Sequence, residues 1–277
     1  MNCFTAREFC FPLGKRTYIM GILNVTPDSF SDGGLYLSPE KAVDRALEMQ
    51  RQGADIIDIG AQSTRPGAQT LKADDEIKRL SPVLEALKGK LTIPISVDTF
   101  YTKTAEFALN NQVAIINDVS GTVNPELADL IKNACAGWII MHNSGGANAV
   151  SVEHEGGVLK AVHKFFKEAL KKTKILDLDK QCICFDAGIG FGKSHEDNLE
   201  ILRHINEVKI DGIALLTATS RKRVVGITTG EENPEKRVAG TIVAHAAAIA
   251  GGTDFIRVHD VPQAVQGAKM ADALFRI

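Results

Sequence analysis

YIMGILNVTPDSFSDGGLYLSPEKAVDRALEMQRQGADIIDIG (18–60) holds two apolar runs, separated by a polar loop and a helical pattern. The runs YIMGILN (18–24) and ADIIDIG (54–60) are near-continuous in apolar residues, as strands buried on both faces are. Between them, PEKAVDRALEMQRQ carries helical periodicity. Ser38 is placed to cap it and Pro39 suits the first helical position, so a helix is predicted over 39–52. Strand, helix and strand in this order make a parallel βα unit, and the unit recurs. Further strand-like runs are IPISVD (93–98), AIIND (114–118), GWIIMH (137–142), CICFDAG (182–188), IALLTAT (213–219) and DFIRVH (254–259). Stretches between them, such as EKRVAGTIVAHAAAIA (235–250), have helical spacing. Eight strands alternating with helices, with no linker, predict an α/β (β/α)8 TIM barrel as a single domain over 1–277. Ahead of it, CFTAREFCF and the LGK turn read as a short N-terminal β-hairpin within 1–17.

Bulk properties agree with one soluble globular barrel. The 277 residues are enough for a sizeable core, and 44% hydrophobic with 24% charged residues is ordinary. A net charge of −2 supplies no basic field for a nucleic-acid backbone, so no nucleic-acid partner is expected. No apolar run is long enough to span a membrane, and MNCFTAREFCFPLGKR has no secretory pattern. Cys3, Cys10, Cys135, Cys182 and Cys184 are odd in number and contain no CxxC pair. Cys182 and Cys184 are expected on one face of a strand as reduced thiols, a zinc pair being the alternative. A cytoplasmic location follows.

Each strand ends in residues that bind or react: Asn24, Gly60–Arg65, Asp98, Asn117, Met141–His142, Asp186, Ser220–Lys222 and Arg257–His259. Barrel closure would bring all of them to one rim, where barrel enzymes build their sites. Asp98, Asn117 and Asp186 suit a flat ligand with a donor-rich edge, such as a 2-amino-pyrimidinone. Singly, each Asp could instead cap the helix that follows it. Arg257 and His259 alternate on the last strand and so share a face. With Lys222, Arg65 and Asn24 they make a cationic side suited to phosphate or diphosphate; a buried ion pair between Arg257 and a core Asp is the alternative. The loops 25–37 and 61–72 are long and polar, as active-site lids are, or else tolerated insertions. AGIGFGKS (187–194) nearly matches a phosphate-binding P-loop, but Ala187 stands in the first glycine position.

Together these segments resemble dihydropteroate synthase. GILNVTPDSFSDGG (21–34) is similar to that family's first signature and DIGAQSTRPGA (58–68) to its second. SVDT (96–99), INDVSG (116–121), DAGIGFGK (186–193), TSRK (219–222) and IRVHDV (256–261) follow in matching order, over nearly the whole chain. The resemblance implies condensation of 6-hydroxymethyl-7,8-dihydropterin diphosphate with 4-aminobenzoate, the same barrel fold, a Mg2+ cofactor and a homodimer. It places the pterin ring on Asp98, Asn117, Met141, Asp186, Lys222 and Arg257. The diphosphate falls to Asn24, Thr64, Arg65, Arg257 and His259, with Asn24 reaching Mg2+. The aminobenzoate falls to Phe30, Thr64, Pro66, Phe191 and Lys222, with Asp32 on the closing loop. Asp98, Lys222, Arg257 and His259 carry the catalytic roles. Where the family commonly has Glu, Pro and Gly, this chain has Gln62, Ala187 and Ala218; Arg223 replaces a frequent Ser, and MHNSGGANAV (141–150) differs after the fifth strand. Two other readings stay open: a synthase-like paralogue that binds pterin without using aminobenzoate, and a pterin-dependent corrinoid methyltransferase.

Overall fold

The computed structural model describes residues 2–26, 38–62, 71–145 and 151–276. Two short antiparallel strands, β1 (Cys3–Ala6) and β2 (Phe9–Pro12), open the chain. Eight parallel strands follow: β3 (Tyr18–Asn24), β4 (Ile56–Gly60), β5 (Ile95–Asp98), β6 (Ile115–Asp118), β7 (Gly137–Met141), β8 (Ile183–Asp186), β9 (Ala214–Thr217) and β10 (Phe255–Val258). They close into a barrel in the order β10-β3-β4-β5-β6-β7-β8-β9. The crossovers are α1 (Pro39–Arg51), α2 (Ala73–Leu87), α3 (Thr102–Asn110), α4 (Pro125–Ala134), α5 (Val158–Ile175), α6 (His195–Arg203) with the short α7 (Ile205–Val208), α8 (Arg223–Thr229) and α9 (Val238–Ala250). Helix α10 (Val261–Phe275) ends the described chain. The (β/α)8 TIM barrel and its hairpin are therefore as expected.

Local chemistry explains the helix starts. Ser38 accepts from the Lys41 amide and Pro39 occupies the first turn of α1. Asn124 and Pro125 do the same for α4, and Ser194 with Asp197 forms a reciprocal capping box on α6. The hairpin turns at Arg7–Glu8, earlier than the LGK segment, which instead leads into β3.

Strand alternation sorts the core into layers. Ile57, Ile59, Val97, Trp138, Ile140 and Phe185 face the helices, where Phe166 stacks on Phe185 at 4.5 Å. Met20, Ile56, Ile115, Ile139, Cys184, Leu216 and Phe255 fill the barrel interior. Phe4 and Phe11 of the hairpin plug its lower end, with Phe4 edge-on to Phe255 at 5.5 Å and Phe11 edge-on to Tyr18 at 5.0 Å. Each such buried ring contributes roughly 1.5–3 kcal/mol, less the cost of ordering it. Gly137 makes room for the plug, since a Cβ there would sit 2.6 Å from the Phe4 ring. Cys182 corrects the expected shared face. It lies in a 3-10 turn before β8 and packs in the outer layer, whereas Cys184 points into the barrel. Both thiols are free, and burial pushes Cys182 up to about 12, so neither offers a thiolate.

Candidate active site

With the interior filled below, the upper parts of the strands carry most of the polar groups that face the barrel lumen among the described residues. Register sets the rim: Asn24 lies opposite Gly60, Gly60 opposite Asp98, and Asp98 opposite Asn117. Two residues further up, Met141 lies opposite Asp186. Arg257 reaches across the lumen and donates from Nη2 to Asp98 at 2.8 Å and from Nε to Asp58 at 2.6 Å. Neither bond uses Nη1. Asn117 donates from Nδ2 to the same Asp58 oxygen at 3.2 Å. The ion-pair alternative for Arg257 is thus realised in this structure, with two carboxylates rather than one.

On the opposite side, Lys222 donates to the Ile189 carbonyl at 2.6 Å and places its ammonium 4.9 Å from the centre of the Phe191 ring. Asp186 accepts from the Gly188 amide at 2.8 Å, which fixes its carboxylate at the start of the loop. Met141, Val119 and Phe191 form a small apolar cluster with Phe100 beside it. His259 sits against Ser220, Nδ1 to Oγ at 3.0 Å, and its amide donates to the same hydroxyl. Ser220 is therefore the orienting partner of His259. Asn24 lies at the top of β3, where a Cβ on Gly60 would come 3.4 Å from its Oδ1 and 3.8 Å from Asp98 Cβ.

Charge is concentrated here away from water, and the titrations respond. Burial raises Asp98 to about 7; Arg257 pulls the other way, while Asp58 and Glu76 add to the rise. Burial also raises Asp186, against the opposing pull of Lys222. Lys222 is lowered to about 8, chiefly by burial, with Asp186 opposing. Clustered perturbed groups in a rim of this kind mark functional sites.

Several alternatives are set aside, and one strand-end residue is corrected. Asp98 does not cap α3, whose N-cap is Tyr101, and Asp186 bonds a turn amide rather than a helix terminus. The His142 ring leaves the rim altogether. It packs edge-on to Phe165 at 5.2 Å, outside the barrel, because alternation after inward Met141 turns it outward. Burial lowers it to about 3, so it stays neutral. Lys193 of the P-loop-like stretch is buried and donates to the carbonyls of His142, Gly188 and Phe191 at 3.2, 2.9 and 3.1 Å. It is a clasp, not a phosphate ligand. Phe30, Asp32, Thr64, Arg65 and Pro66 lie outside the described residues.

Asp58 and Ser220 were not assigned roles by their sequence context. The signal for Asp58 was present: in ADIIDIG it is two residues from Gly60 and so shares the inward face. Attention to strand ends alone passes over it.

Fold and rim together define a TIM-barrel enzyme with its ionisable residues at the strand C-termini. A family model described as pterin binding enzyme matches residues 20–259. A dihydropteroate synthase from Synechocystis sp. is 42% identical over 268 residues, covering 96% of this chain and 93% of its own. The crystal structure of a dihydropteroate synthase from Clostridium difficile in the presence of pteroic acid superposes with a TM-score of 0.90 at 42% identity, covering 96% of this chain and all of the other. One from Xanthomonas albilineans with 4-aminobenzoic acid gives 0.90 at 36% identity, covering 100% and 99%. The chain belongs to the pterin-binding enzymes and, within them, to the dihydropteroate synthase family.

Proposed function

We propose that this chain, as one barrel domain over 1–277 with its hairpin in 1–17, condenses 6-hydroxymethyl-7,8-dihydropterin diphosphate with 4-aminobenzoate. The C–O bond to the diphosphate breaks, a C–N bond forms to the aromatic amine, that amine loses one proton, and pyrophosphate leaves with 7,8-dihydropteroate. The observation that carries the reading is membership of a synthase family over nearly the whole chain, combined with acceptors and cations facing one another across one rim. Such a transferase serves folate biosynthesis.

Asp186 and Asp98 would accept the N–H edge of the pterin, Asn117 and Lys222 would meet its remaining polar atoms, and Met141 would lie under the ring. Arg257 and His259 would neutralise the leaving diphosphate, with Thr64 and Arg65 completing that subsite. Phe191 and Lys222, with Phe30, Thr64 and Pro66, would flank the aminobenzoate. An ionised Asp98 stabilises positive charge developing on the pterin methylene, so positioning and electrostatics matter more than a strong base.

Mg2+ fits this donor set in one way. It prefers oxygen, keeps several waters and takes substrate phosphates as ligands. Asn24 offers an amide oxygen at the rim, and no group of three or more His, Cys, Asp or Glu that could hold a metal occurs among the described residues. Mg2+ bound through Asn24 and the diphosphate would supply charge neutralisation for the leaving group.

A homodimer is the proposed assembly. Val243 on α9 is 70% exposed and Met270, Leu274 and Phe275 on α10 are exposed beside it, on two helices that pack together. Helix α9 is apolar nearly all round, which a free surface helix is not. No helix among the described residues is long and apolar enough to cross a membrane, and free cysteines suit a reducing cytoplasm.

A pyrophosphate-release assay with and without 4-aminobenzoate tests the reading. Release should require both substrates. Tight pterin binding with no release would support the paralogue that only binds pterin.

A further inference from the structure

Asp58 is fully buried, bears no role in the reaction above, and is bonded to two residues that do. Its place in the sheet explains why. Asp58 lies opposite Ser96, whereas Asp98 lies opposite Gly60, two residues higher on the same inward face. The two carboxylates therefore stand on neighbouring strands, offset along the strand direction. Both accept from one guanidinium, Asp58 from Nε and Asp98 from Nη2. Asp98 ends its strand and keeps 10% of its side chain exposed, whereas Asp58 keeps none, so a molecule entering from the rim meets Asp98 first.

The bonds at Asp58 have a second consequence. Asn117 commits its Nδ2 to Asp58, so its Oδ1 is the atom left over, buried and without a partner among the described residues. An amide in this orientation presents an acceptor to a ligand whose edge carries N–H donors. The opposite orientation would set its oxygen against the Asp58 carboxylate and its donors toward the ligand's donors. A buried carboxylate is held firmly by its cation, because separation leaves both charges uncompensated.

Building on the pterin reading, we propose that Asp58 is a positioning residue: it fixes the Asn117 amide and hinges Arg257 at Nε, so that an arriving pterin displaces Arg257 from Asp98 alone. Asp98 is then the exchangeable partner and Asp58 the permanent one. Released at one end only, the guanidinium swings about Nε and stays over the site, where its Nη groups can meet the diphosphate.

Binding of 6-hydroxymethyl-7,8-dihydropterin is the measurement, by calorimetry on the whole protein. Asp58→Asn should weaken it at least tenfold with the fold retained by circular dichroism. In an Asn117→Ala background the same substitution should cost at least threefold less, the non-additivity expected if Asp58 acts through the Asn117 amide. Binding within threefold of the parent, or fully additive losses, would overturn the proposal. If the parent protein itself neither binds pterin nor releases pyrophosphate, the functional reading fails instead. Should Asp58→Asn not fold, the unsubstituted protein decides. Its Arg257 Nε–H proton signal, assigned by its disappearance in Arg257→Lys, should exchange slowly with water both without and with the pterin. Fast exchange under either condition would overturn the hinge.

Discussion

Asp98 and Lys222 bracket the working pH of the site. Burial holds Asp98 near 7 and Lys222 near 8, so the ionised acid and the charged amine coexist only in a narrow window. Below that window Asp98 gains a proton and ceases to accept from a donor edge; above it Lys222 loses its charge. The kcat/KM for the pterin diphosphate should therefore be bell-shaped, with limbs near 7 and near 8 that report the free protein. A flat profile through both would contradict these assignments. Asp186→Asn replaces a bidentate acceptor by an amide with one acceptor and two misplaced donors. Pterin affinity should drop by on the order of 2–4 kcal/mol in calorimetry, and a change under threefold would remove Asp186 as ring anchor. His259→Ala should weaken the pterin diphosphate far more than the free hydroxymethyl-pterin; equal losses would place His259 elsewhere than on the anion.

Two elements after β8 show how local structure serves the rim. Gly188 has φ +66°, and a Cβ there would sit 1.9 Å from the His142 carbonyl, one of the three that Lys193 clasps. Gly188→Ala should break that clasp, shift Phe191 and Asp186, and lower kcat/KM more than tenfold together with the melting temperature. Ser194→Ala touches only the α6 capping box nearby. It should cost about 1 kcal/mol of stability and leave KM within twofold. If the two variants behaved alike in kinetics, the loop geometry would not matter to the site. Helix α1 was legible to within a residue, because its cap and proline are local signals. Strand ends were read too long at β8 and β9, since apolar residues continue past the last ladder bond and periodicity registers side chains rather than hydrogen bonds.

At the scale of the whole molecule, the exposed apolar face of α9 and α10 makes a mass prediction. The purified protein should sediment as a dimer, and Val243→Asp with Leu274→Asp should give a folded monomer. A monomeric parent would leave that face to some other partner. The rim itself is also a whole-molecule property: Arg257 and Asp58 are 199 residues apart in sequence, and Asp98 is 159 from Arg257. They meet because eight strands close into a ring, which brings β10 beside β3.

The sequence by itself determined the eight βα units, the cap and proline of α1, and most of the rim residues, since each depends on spacing within one element. Only the tertiary structure decided which rim residues touch. Alternation puts Asp98, Asn117, Asp186 and Arg257 on inward faces, but the depth at which each stands depends on register between strands. That register is why Asp58 and Asp98 both come within reach of Arg257. Pairing across the lumen is a long-range geometric outcome of barrel closure, and no local run of residues contains it.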